Sequence, residues 1–571
     1  MSEVANAGKK IFVRDGEPIS VMGAATRDMR REGDALVICP DAKWGNPLFA
    51  DCALEEDDFH IHARLTLEEV GGTGASFLIG GFYHYPCSRP EGNGTFRVSL
   101  DDEMETYDRD RLEADGRILY GMTERRAPWS EAQKGIAAKT RDHIQAGKPF
   151  TIDVYQTGQD AVFQIDGHEI FRTNLRSEER ISGTSDGGWP VCFGVLPDRT
   201  VIRLHDLSAE GRFARSSLDH TDVWQMGHGG YFTYRIPSLC VTTGGDLLAF
   251  VEARRSDFAG TWNWGKDWNP DEVHCVMKRS EDGGRAWSEQ RLVLGEGSSY
   301  EVRDPSPVVD HQTGDVFLVT RGPYIMRSQD EGETWSAPRS LRGLVPDDLD
   351  TLSPGPANSG IQLQDGEYAG RLMFAIAGDG AVGVMYWDDH GDNWRLGGMV
   401  RGYDGWEPQL TEPADGRILI NARNHSDNPG RIVSISEDGG ASFETHYDDR
   451  LPSQWCQASL VRHDGGEDSP AGTQEQFIFC GPGEGRRKLT IKASSDECQS
   501  WAQSRMVYSG HSAYSAMAVL PDGAVGVLYE KDAYRRLSFV RFDPRRVGDG
   551  EAGREPARGN NSVNHVIRQK K

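Results

Sequence analysis

This chain of 571 residues lacks the features that mark several large classes of protein. Its nine cysteines are odd in number and have no Cys-x-x-Cys or other zinc spacing, which favours free thiols over a disulfide framework. No stretch approaches the 18 or so apolar residues that a membrane-spanning helix needs. The first twenty residues contain no apolar core of a secretory signal. The sequence therefore predicts a protein without a membrane span, either cytoplasmic or secreted with its leader already removed.

Positive charge is also scarce. Lysine and arginine number 63 against 88 aspartate and glutamate residues, for a net charge of −25. Such a surface argues against nucleic acid or an anionic membrane as a partner. It also repels small anions at long range, so an acidic ligand would need a locally basic pocket.

What the chain does have is one short pattern in five copies. They are 280–287 (SEDGGRAW), 328–335 (SQDEGETW), 387–394 (WDDHGDNW), 436–443 (SEDGGASF) and 494–501 (SSDECQSW). The spacing of 48 to 59 residues indicates a repeat architecture. The aspartate can cap backbone N–H groups, the glycine can adopt positive φ, and the aromatic residue can fold back as a plug. The pattern predicts tight turns and says nothing about catalysis.

Two domains and a tail are predicted. Residues 1–212 contain alternating runs such as 59–67 (FHIHARLTL) and a hairpin at 161–171 turning at Asp166-Gly167, which predict an antiparallel β-sandwich of the concanavalin or laminin-G-like kind. This domain is expected either to bind sugars or to serve as a structural spacer. Residues 213–221 are predicted as a linker and 546–571 as a disordered tail. Residues 222–545 suffice for six units of about 53 residues, which predicts a six-bladed β-propeller.

Polar segments interrupt the apolar blade pattern at predicted strand ends. They are 234–237 (YRIP), 406–410 (WEPQL) with 419–423 (LINAR), 485–489 (GRRKL), and 510–515 (GHSAYS) with 528–530 (LYE). With these motifs in this order between the aspartate repeats, residues 222–543 resemble the sialidases, or exo-α-neuraminidases, of the bacterial and animal type.

The resemblance implies a role for each matching residue. Arg235, Arg423 and Arg486 would form the arginine triad that holds the substrate carboxylate, with Arg487 as the competitor for the third position. Glu407 and Tyr514 match the base and the nucleophile. Glu530 matches the acid that orients the first arginine, and Arg254 matches an additional cationic contact. The implied enzyme needs no cofactor, and histidines 274, 390, 425 and 511 show no ligand spacing, so no metal is predicted.

The chemistry is consistent with these roles. Sialic acids carry a carboxylate on the anomeric carbon, which guanidinium groups can bind through charge-assisted hydrogen bonds. A carboxylate nucleophile would be repelled by that charge, whereas a neutral phenol would not. Because the ordinary pKa of a phenol is about 10, it needs a partner base. Sialidases are a known exception to the use of two carboxylates by retaining glycosidases.

Two positions leave alternatives open. The implied general acid is Asp257, counted forward from Arg254, or Asp267, counted back from the first repeat. Where many relatives have Asn-Pro-x-Pro, this chain has Arg303-Asp304-Pro-Ser-Pro, close to the expected N-acyl pocket. The expected substrate is therefore a glycan ending in sialic acid or in a related 2-keto acid, deaminated or shorter. A trans-glycosylase and a carbohydrate-binding propeller without turnover remain as alternatives, although the Tyr-Glu pair is retained.

Overall fold

A computed structural model of the chain describes 21 segments. They are residues 7–19, 21–23, 29–38, 46–69, 76–81, 95–99, 118–120, 143–157, 160–174, 190–195, 201–231, 233–255, 273–295, 302–321, 324–344, 353–354, 359–452, 456–464, 475–484, 486–532 and 534–549. Residues 550–571 of the predicted tail lie outside the described residues. No helix within the described segments has both the length and the hydropathy to cross a membrane.

The N-terminal region consists of antiparallel strands around one apolar core. The strands are β1 (Ala7–Arg14), β2 (Glu17–Pro18), β3 (Val21–Gly23), β4 (Met29–Glu32), β5 (Ala35–Ile38), β6 (Asn46–Glu69), β7 (Ser76–Gly81), β8 (Thr95–Ser99), β9 (Ile118–Tyr120), β10 (Pro149–Thr157), β11 (Asp160–Ile165), β12 (His168–Asn174), β13 (Pro190–Val195) and β14 (Val201–Phe213). The predicted hairpin at Asp166-Gly167 is confirmed, since it joins β11 to β12.

The long strand β6 organises this region. It pairs with β3, β10, β13 and β14, so that hydrogen bonds connect all fourteen strands into one set. Along its second half the side chains alternate, with Phe59, Ile61 and Ala63 in the core and His60 and His62 on the outer face. The antiparallel strands are as expected for this region, whereas the division into the two layers of a sandwich stays a prediction.

Within its described residues, the C-terminal region is also built from strands, apart from two 3-10 helices at Arg342–Leu344 and Pro544–Asp549. Its strands are β15 (His220–Gln225), β16 (Thr233–Val241), β17 (Leu247–Arg254), β18 (Val273–Ser280), β19 (Arg291–Leu294), β20 (Ser306–Val309), β21 (Val316–Thr320), β22 (Tyr324–Ser328), β23 (Arg339–Ser340), β24 (Ser353–Pro354), β25 (Ile361–Gln362), β26 (Leu372–Gly378), β27 (Ala381–Trp387), β28 (Arg395–Val400), β29 (Gly405–Thr411), β30 (Ile418–Asn424), β31 (Arg431–Ser436), β32 (Glu444–Asp448), β33 (Ser459–His463), β34 (Gln476–Glu484), β35 (Arg487–Ser494), β36 (Gln503–Val519), β37 (Val525–Lys531) and β38 (Arg536–Phe542).

These strands form a propeller-like series of antiparallel sheets. Four sheets are separate, namely β16–β19, β20–β23, β24–β28 and β29–β32. The other strands form one seven-stranded sheet in the order β15-β38-β37-β36-β35-β34-β33. The all-β propeller-like arrangement is therefore confirmed, but the described strands form four separate blades where six were predicted. The remaining strands form one sheet because the 17-residue strand β36 is long enough to pair with β35 and then with β37.

The repeated pattern forms the turn between two neighbouring antiparallel strands, and in the four separate sheets this turn leads into the last strand. In the copy after β31, Ser436 Oγ donates to Asp438 at 2.7 Å and accepts from the N–H of Gly440 at 2.8 Å. Asp438 Oδ1 accepts the N–H groups of Ala441 and Ser442 at 3.0 and 2.9 Å. The copies at Asp282, Asp330 and Asp496 repeat this network of serine, aspartate and backbone. The pattern is therefore structural, as predicted.

The absence of a sixth copy has a topological cause. The outer neighbour of β38 is β15, from the beginning of the region, and the described residues after β38 form no further strand. This pairing joins the two ends of the propeller-like region, and a turn into a following strand is not needed there.

The network predicts a measurable loss of stability. Asp438→Ala removes the acceptor of two backbone N–H groups and should lower the free energy of unfolding by about 1 kcal/mol, as for loss of a helix N-cap. Urea denaturation followed by tryptophan fluorescence would measure it. The neighbouring substitution Glu437→Ala is the control. Equal stability of the two variants would contradict a structural role for the aspartate.

Candidate active site

Irregular backbone at strand ends positions the polar side chains that the sequence singled out. The pairing register shifts between Arg235 and Ser238 in β16, and between Trp406 and Gln409 in β29. Within these irregularities Ile236 has a φ of 55° and Glu407 a φ of 47°, values that non-glycine residues rarely adopt. Bulges of this kind redirect a side chain relative to its strand.

At the centre of the site a tyrosine is hydrogen-bonded to a carboxylate. The hydroxyl of Tyr514, in β36, donates a short hydrogen bond to Glu407 Oε1, although 107 residues separate them. Arg423 Nη1, in β30, donates to both oxygens of Glu407 at 3.0 and 2.9 Å, and to the Tyr514 hydroxyl at 3.3 Å. All three side chains are nearly or fully buried.

Two more arginines surround the same tyrosine. The guanidinium carbons of Arg235 and Arg486 lie 5.4 and 5.3 Å from the centre of the Tyr514 ring. Together with Arg423 they place three positive charges around one phenol. The site is a cluster of cationic side chains in a chain of strongly negative net charge, as an acidic ligand would require.

Glu530, in β37, holds one of these arginines and the backbone around it. It accepts hydrogen bonds from Arg235 Nε at 2.7 Å and Nη2 at 3.1 Å. It also accepts the N–H groups of Ile236 at 3.0 Å and of Tyr514 at 3.2 Å. Because Glu530 is 0% exposed and Arg235 1%, one buried carboxylate fixes both an arginine and the tyrosine main chain.

Tyr534 was missed by the sequence analysis. Its ring lies 4.1 Å from the guanidinium carbon of Arg235, and its hydroxyl accepts a hydrogen bond from Arg486 Nη1 at 2.8 Å. It thus contacts two of the three arginines. An aromatic residue in the turn after the motif 528–530 was the available hint, but neither contact is visible in the sequence.

A second buried group links Arg254 and Asp304. Arg254 donates from Nε to Glu252 Oε2 at 3.0 Å and from Nη2 at 2.5 Å, while the N–H of Asp304 donates to Glu252 Oε1 at 2.9 Å. Glu252 pairs with Arg235 across β16 and β17, so this group adjoins the first arginine. Glu252 is, after Tyr534, the second residue of the site that the sequence analysis did not assign.

The two candidates for the general acid lie outside the described residues. Asp257 and Asp267 both fall between residues 255 and 273, so their positions relative to Tyr514 are not part of the structure. For the third arginine, Arg486 contacts Tyr514 and Tyr534, whereas Arg487 pairs with His511 across β35 and β36.

The arginines set the protonation of the tyrosine and its partner. Burial by itself would raise the pKa of Glu407, but the charge of Arg423 and the hydrogen bond from Tyr514 lower it below its ordinary value. Burial, and then the negative charge of Glu407, raise the pKa of Tyr514 well above 10. At neutral pH the pair is therefore a phenol donating to a carboxylate, poised to transfer a proton in that direction. Among the described residues, no group of potential metal ligands lies at this site.

Comparison with known proteins shows the following similarities. Residues 245–527 match the model of a BNR repeat-like domain. A sialidase from Micromonospora viridifaciens is 32% identical over 345 residues, covering 54% of this chain and 51% of that protein. A sialidase from Bacteroides fragilis is 29% identical over 350 residues, covering 54% of this chain and 62% of that protein. The chain thus spans only half to three fifths of the length of these two relatives.

A solved structure supports the fold alone. The leech intramolecular trans-sialidase, in complex with 2,7-anhydro-Neu5Ac, aligns over 87% of this chain and 95% of its own, with a TM-score of 0.50 and 17% identity.

The buried pair of Arg235 and Glu530 predicts a large loss of stability when its charge is removed. Glu530→Gln leaves the guanidinium buried without its carboxylate and should lower the free energy of unfolding by about 3–5 kcal/mol. Asp543→Asn, in the exposed pair with Arg545, is the matched control and should cost about 0–1 kcal/mol. Urea denaturation would measure both, and similar losses in the two variants would contradict the importance of burial.

His425 predicts a pH dependence of stability. Its ring stacks on Trp406 at 5.5 Å, and burial, followed by the charge of Arg423, lowers its pKa from 6.5 to about 4. Between these values the unfolded chain binds the proton more readily, so this histidine makes stability fall as the pH drops from 6.5 towards 4. His425→Asn should show a smaller decrease than the parent chain in urea denaturation at pH 7.0 and 4.5. Parallel decreases would contradict this origin.

Proposed function

We propose that this chain, whose C-terminal region is related to the sialidases, is a retaining exo-glycosidase that removes terminal α-linked sialic acid from glycoconjugates. The observation that carries the proposal is the hydrogen-bonded pair of Tyr514 and Glu407 within a cluster of three arginines. A phenol among three guanidinium groups and bonded to a buried carboxylate suits attack on a carbon that already bears a negative charge.

In this proposal the arginines bind the substrate carboxylate. Arg235, Arg423 and Arg486 would each donate charge-assisted hydrogen bonds, which contribute about 1.5–3 kcal/mol apiece. Glu530 prevents Arg235 from turning away, and the Tyr534 hydroxyl does the same for Arg486. Such preorganisation favours a ligand whose carboxylate arrives in one orientation.

Tyr514 would act as the nucleophile and Glu407 as its base. Because the pKa of Tyr514 is raised and that of Glu407 lowered at rest, the phenol keeps its proton until the reaction begins. As the Tyr514 oxygen bonds to C2 of the sugar, its proton passes to Glu407 along the existing hydrogen bond. The three positive charges nearby stabilise the negative charge that develops on the phenol oxygen.

A general acid completes the proposed sequence. Asp257 or Asp267 would protonate the glycosidic oxygen as the bond from C2 to the aglycone breaks, which leaves the sugar bonded to Tyr514. The same aspartate, now ionised, would take a proton from water as the water attacks C2. The bond to Tyr514 then breaks, Glu407 returns its proton to the phenol oxygen, and the anomeric configuration is retained.

The architecture proposed for this enzyme has six blades. Gln503 pairs with β35 at the beginning of β36, whereas Val519 pairs with β37 at its end. The seven-stranded sheet would then consist of two blades that share this strand, one completed by β33–β35 and the other by β37, β38 and β15. Added to the four separate sheets, they would make six blades, as the repeat length predicts.

A related 2-keto acid is the second candidate substrate. Asp304 is buried and linked through Glu252 to Arg254, and Arg303 precedes it, where many sialidases have an asparagine near the N-acyl group. Charged groups there favour a sugar with a hydroxyl in place of the N-acetyl group, because a hydroxyl both donates and accepts hydrogen bonds.

The test is hydrolysis of a panel of methylumbelliferyl glycosides. N-acetylneuraminyl, deaminated-neuraminyl and shorter ulosonyl substrates would be compared for the parent chain, Tyr514→Phe and Glu407→Gln. At least one substrate should be turned over, and Tyr514→Phe should lower kcat by about 1,000-fold or more. Tyr386→Phe, which removes a hydroxyl from β27, is the matched control and should keep full activity.

The outcomes distinguish the alternatives. A preference for the deaminated or shorter sugar would identify the second candidate substrate. Saturable binding of all three sugars without turnover by the folded parent chain would favour a carbohydrate-binding propeller. Neither binding nor turnover would contradict both proposals.

A further inference from the structure

The outer face of the N-terminal sheet brings together two histidines and a carboxylate. His60 and His62 are separated in β6 by Ile61, so their side chains point to the same side of the sheet, whereas Ile61 points into the core. Asp153 lies directly opposite His62 in the neighbouring strand β10, and Tyr155 lies opposite His60. The group thus spans two hydrogen-bonded strands whose spacing the sheet fixes.

Their polar atoms converge on one point. His60 Nε2 lies 2.7 Å and His62 Nδ1 2.8 Å from the same oxygen, Oδ1 of Asp153. One ligand atom from each residue lies within 4.8 Å of the other two. The Tyr155 ring stacks on the His60 ring at 4.2 Å with an angle of 7° between the planes, which limits its rotation.

We propose that His60, His62 and Asp153 form a binding site for a divalent first-row transition metal, best suited to Zn²⁺. Zinc bonds to imidazole nitrogen and carboxylate oxygen are about 2.0–2.2 Å long, so an ion between these atoms would draw all three into its coordination sphere with small side-chain movements. Three protein ligands leave at least one position for water, and two imidazoles favour Zn²⁺ over Ca²⁺ or Mg²⁺, which prefer oxygen ligands.

The surroundings favour a cation. The side chain of Asp153 is only 14% exposed, and its Oδ1 lies within hydrogen-bond distance of both histidine nitrogens. Glu210, in β14, lies opposite His60 on the other side of β6 and is paired with Lys9 at 3.0 Å. Within the described part of the chain, the three ligands contact one another and Tyr155, and these contacts include no lysine or arginine.

A metal here would connect β6 to β10, two adjacent strands that both contribute side chains to the N-terminal core. Because the cluster is complete only when these strands are paired, binding would stabilise the folded state over the unfolded one. The inference does not depend on the proposed glycosidase activity, since all three ligands belong to the N-terminal region.

Calorimetric titration of the full chain without an affinity tag tests the site. Added ZnCl₂ should bind with one equivalent per chain, and equal CaCl₂ should give no saturable binding. His62→Ala and Asp153→Asn should each weaken Zn²⁺ binding by about 10-fold or more. His168→Ala, in the pair of stacked rings His143 and His168 in the same region, is the matched control and should bind as the parent chain does.

A measurement on the parent chain guards against variants that misfold. Zn²⁺ should protect His60 and His62, but not His168, from modification by diethyl pyrocarbonate, as mapped by mass spectrometry. Absence of one-equivalent binding, binding unchanged in both ligand variants, or equal modification of His60 and His62 with and without Zn²⁺ would each overturn the inference.

Discussion

The central constraint on this molecule is the balance of buried charge around Tyr514. Three guanidinium groups repel one another, and outside water each needs a negative partner. Glu530 supplies one to Arg235 and Glu407 supplies one to Arg423. The first pair joins strands 295 residues apart in the sequence, whereas the second lies within the neighbouring strands β29 and β30 and is linked to β36 by the hydrogen bond from Tyr514 to Glu407. The carboxylates that hold the arginines around Tyr514 therefore also connect the strands of the site, so a change in one carboxylate is expected to affect both stability and ligand binding.

In two of the sheets, the residues of the candidate site and the repeated turns lie at opposite ends of the strands. In the sheet β16–β19, Arg254 pairs with Val273 at one end, whereas Leu247 pairs with Ser280, the first residue of a repeat, at the other. The sheet β29–β32 has the same arrangement, with Arg423 and the turn at Ser436 at opposite ends. The regular, hydrogen-bonded turns thus lie away from the site, and the unusual backbone of residues such as Ile236 and Glu407 lies at it. Conformations of this kind persist when the surrounding structure determines them, which the rigid sheets can do.

Much of the candidate site could be chosen from the sequence because its short motifs resemble those of the sialidases and occur in the same order. The motifs that contain Arg235, Glu407, Arg423, Arg486, Tyr514 and Glu530 belong to segments that the structure brings together. Tyr534 and Glu252 were not assigned, because their importance comes from what they contact and not from a local pattern. The number of separate blades was predicted incorrectly for a similar reason. The repeat length counts units, but it does not indicate that one strand of 17 residues pairs on both its halves.

The composition by itself determined the excess of acidic residues, and the resemblance to the sialidases implied the candidate site residues. The sequence by itself also determined two local features, namely the alternation that makes strands and the serine and aspartate turns. Each depends on residues within a few positions of one another, where the periodicity of side chains and hydrogen bonds to adjacent backbone decide the conformation. Only the tertiary structure decided which of those side chains meet. The pairing of β15 with β38, the approach of Tyr514 to Glu407 and the meeting of His60 and His62 with Asp153 all join distant segments. Such contacts depend on strand register and on how the sheets pack, and no short stretch of sequence specifies either.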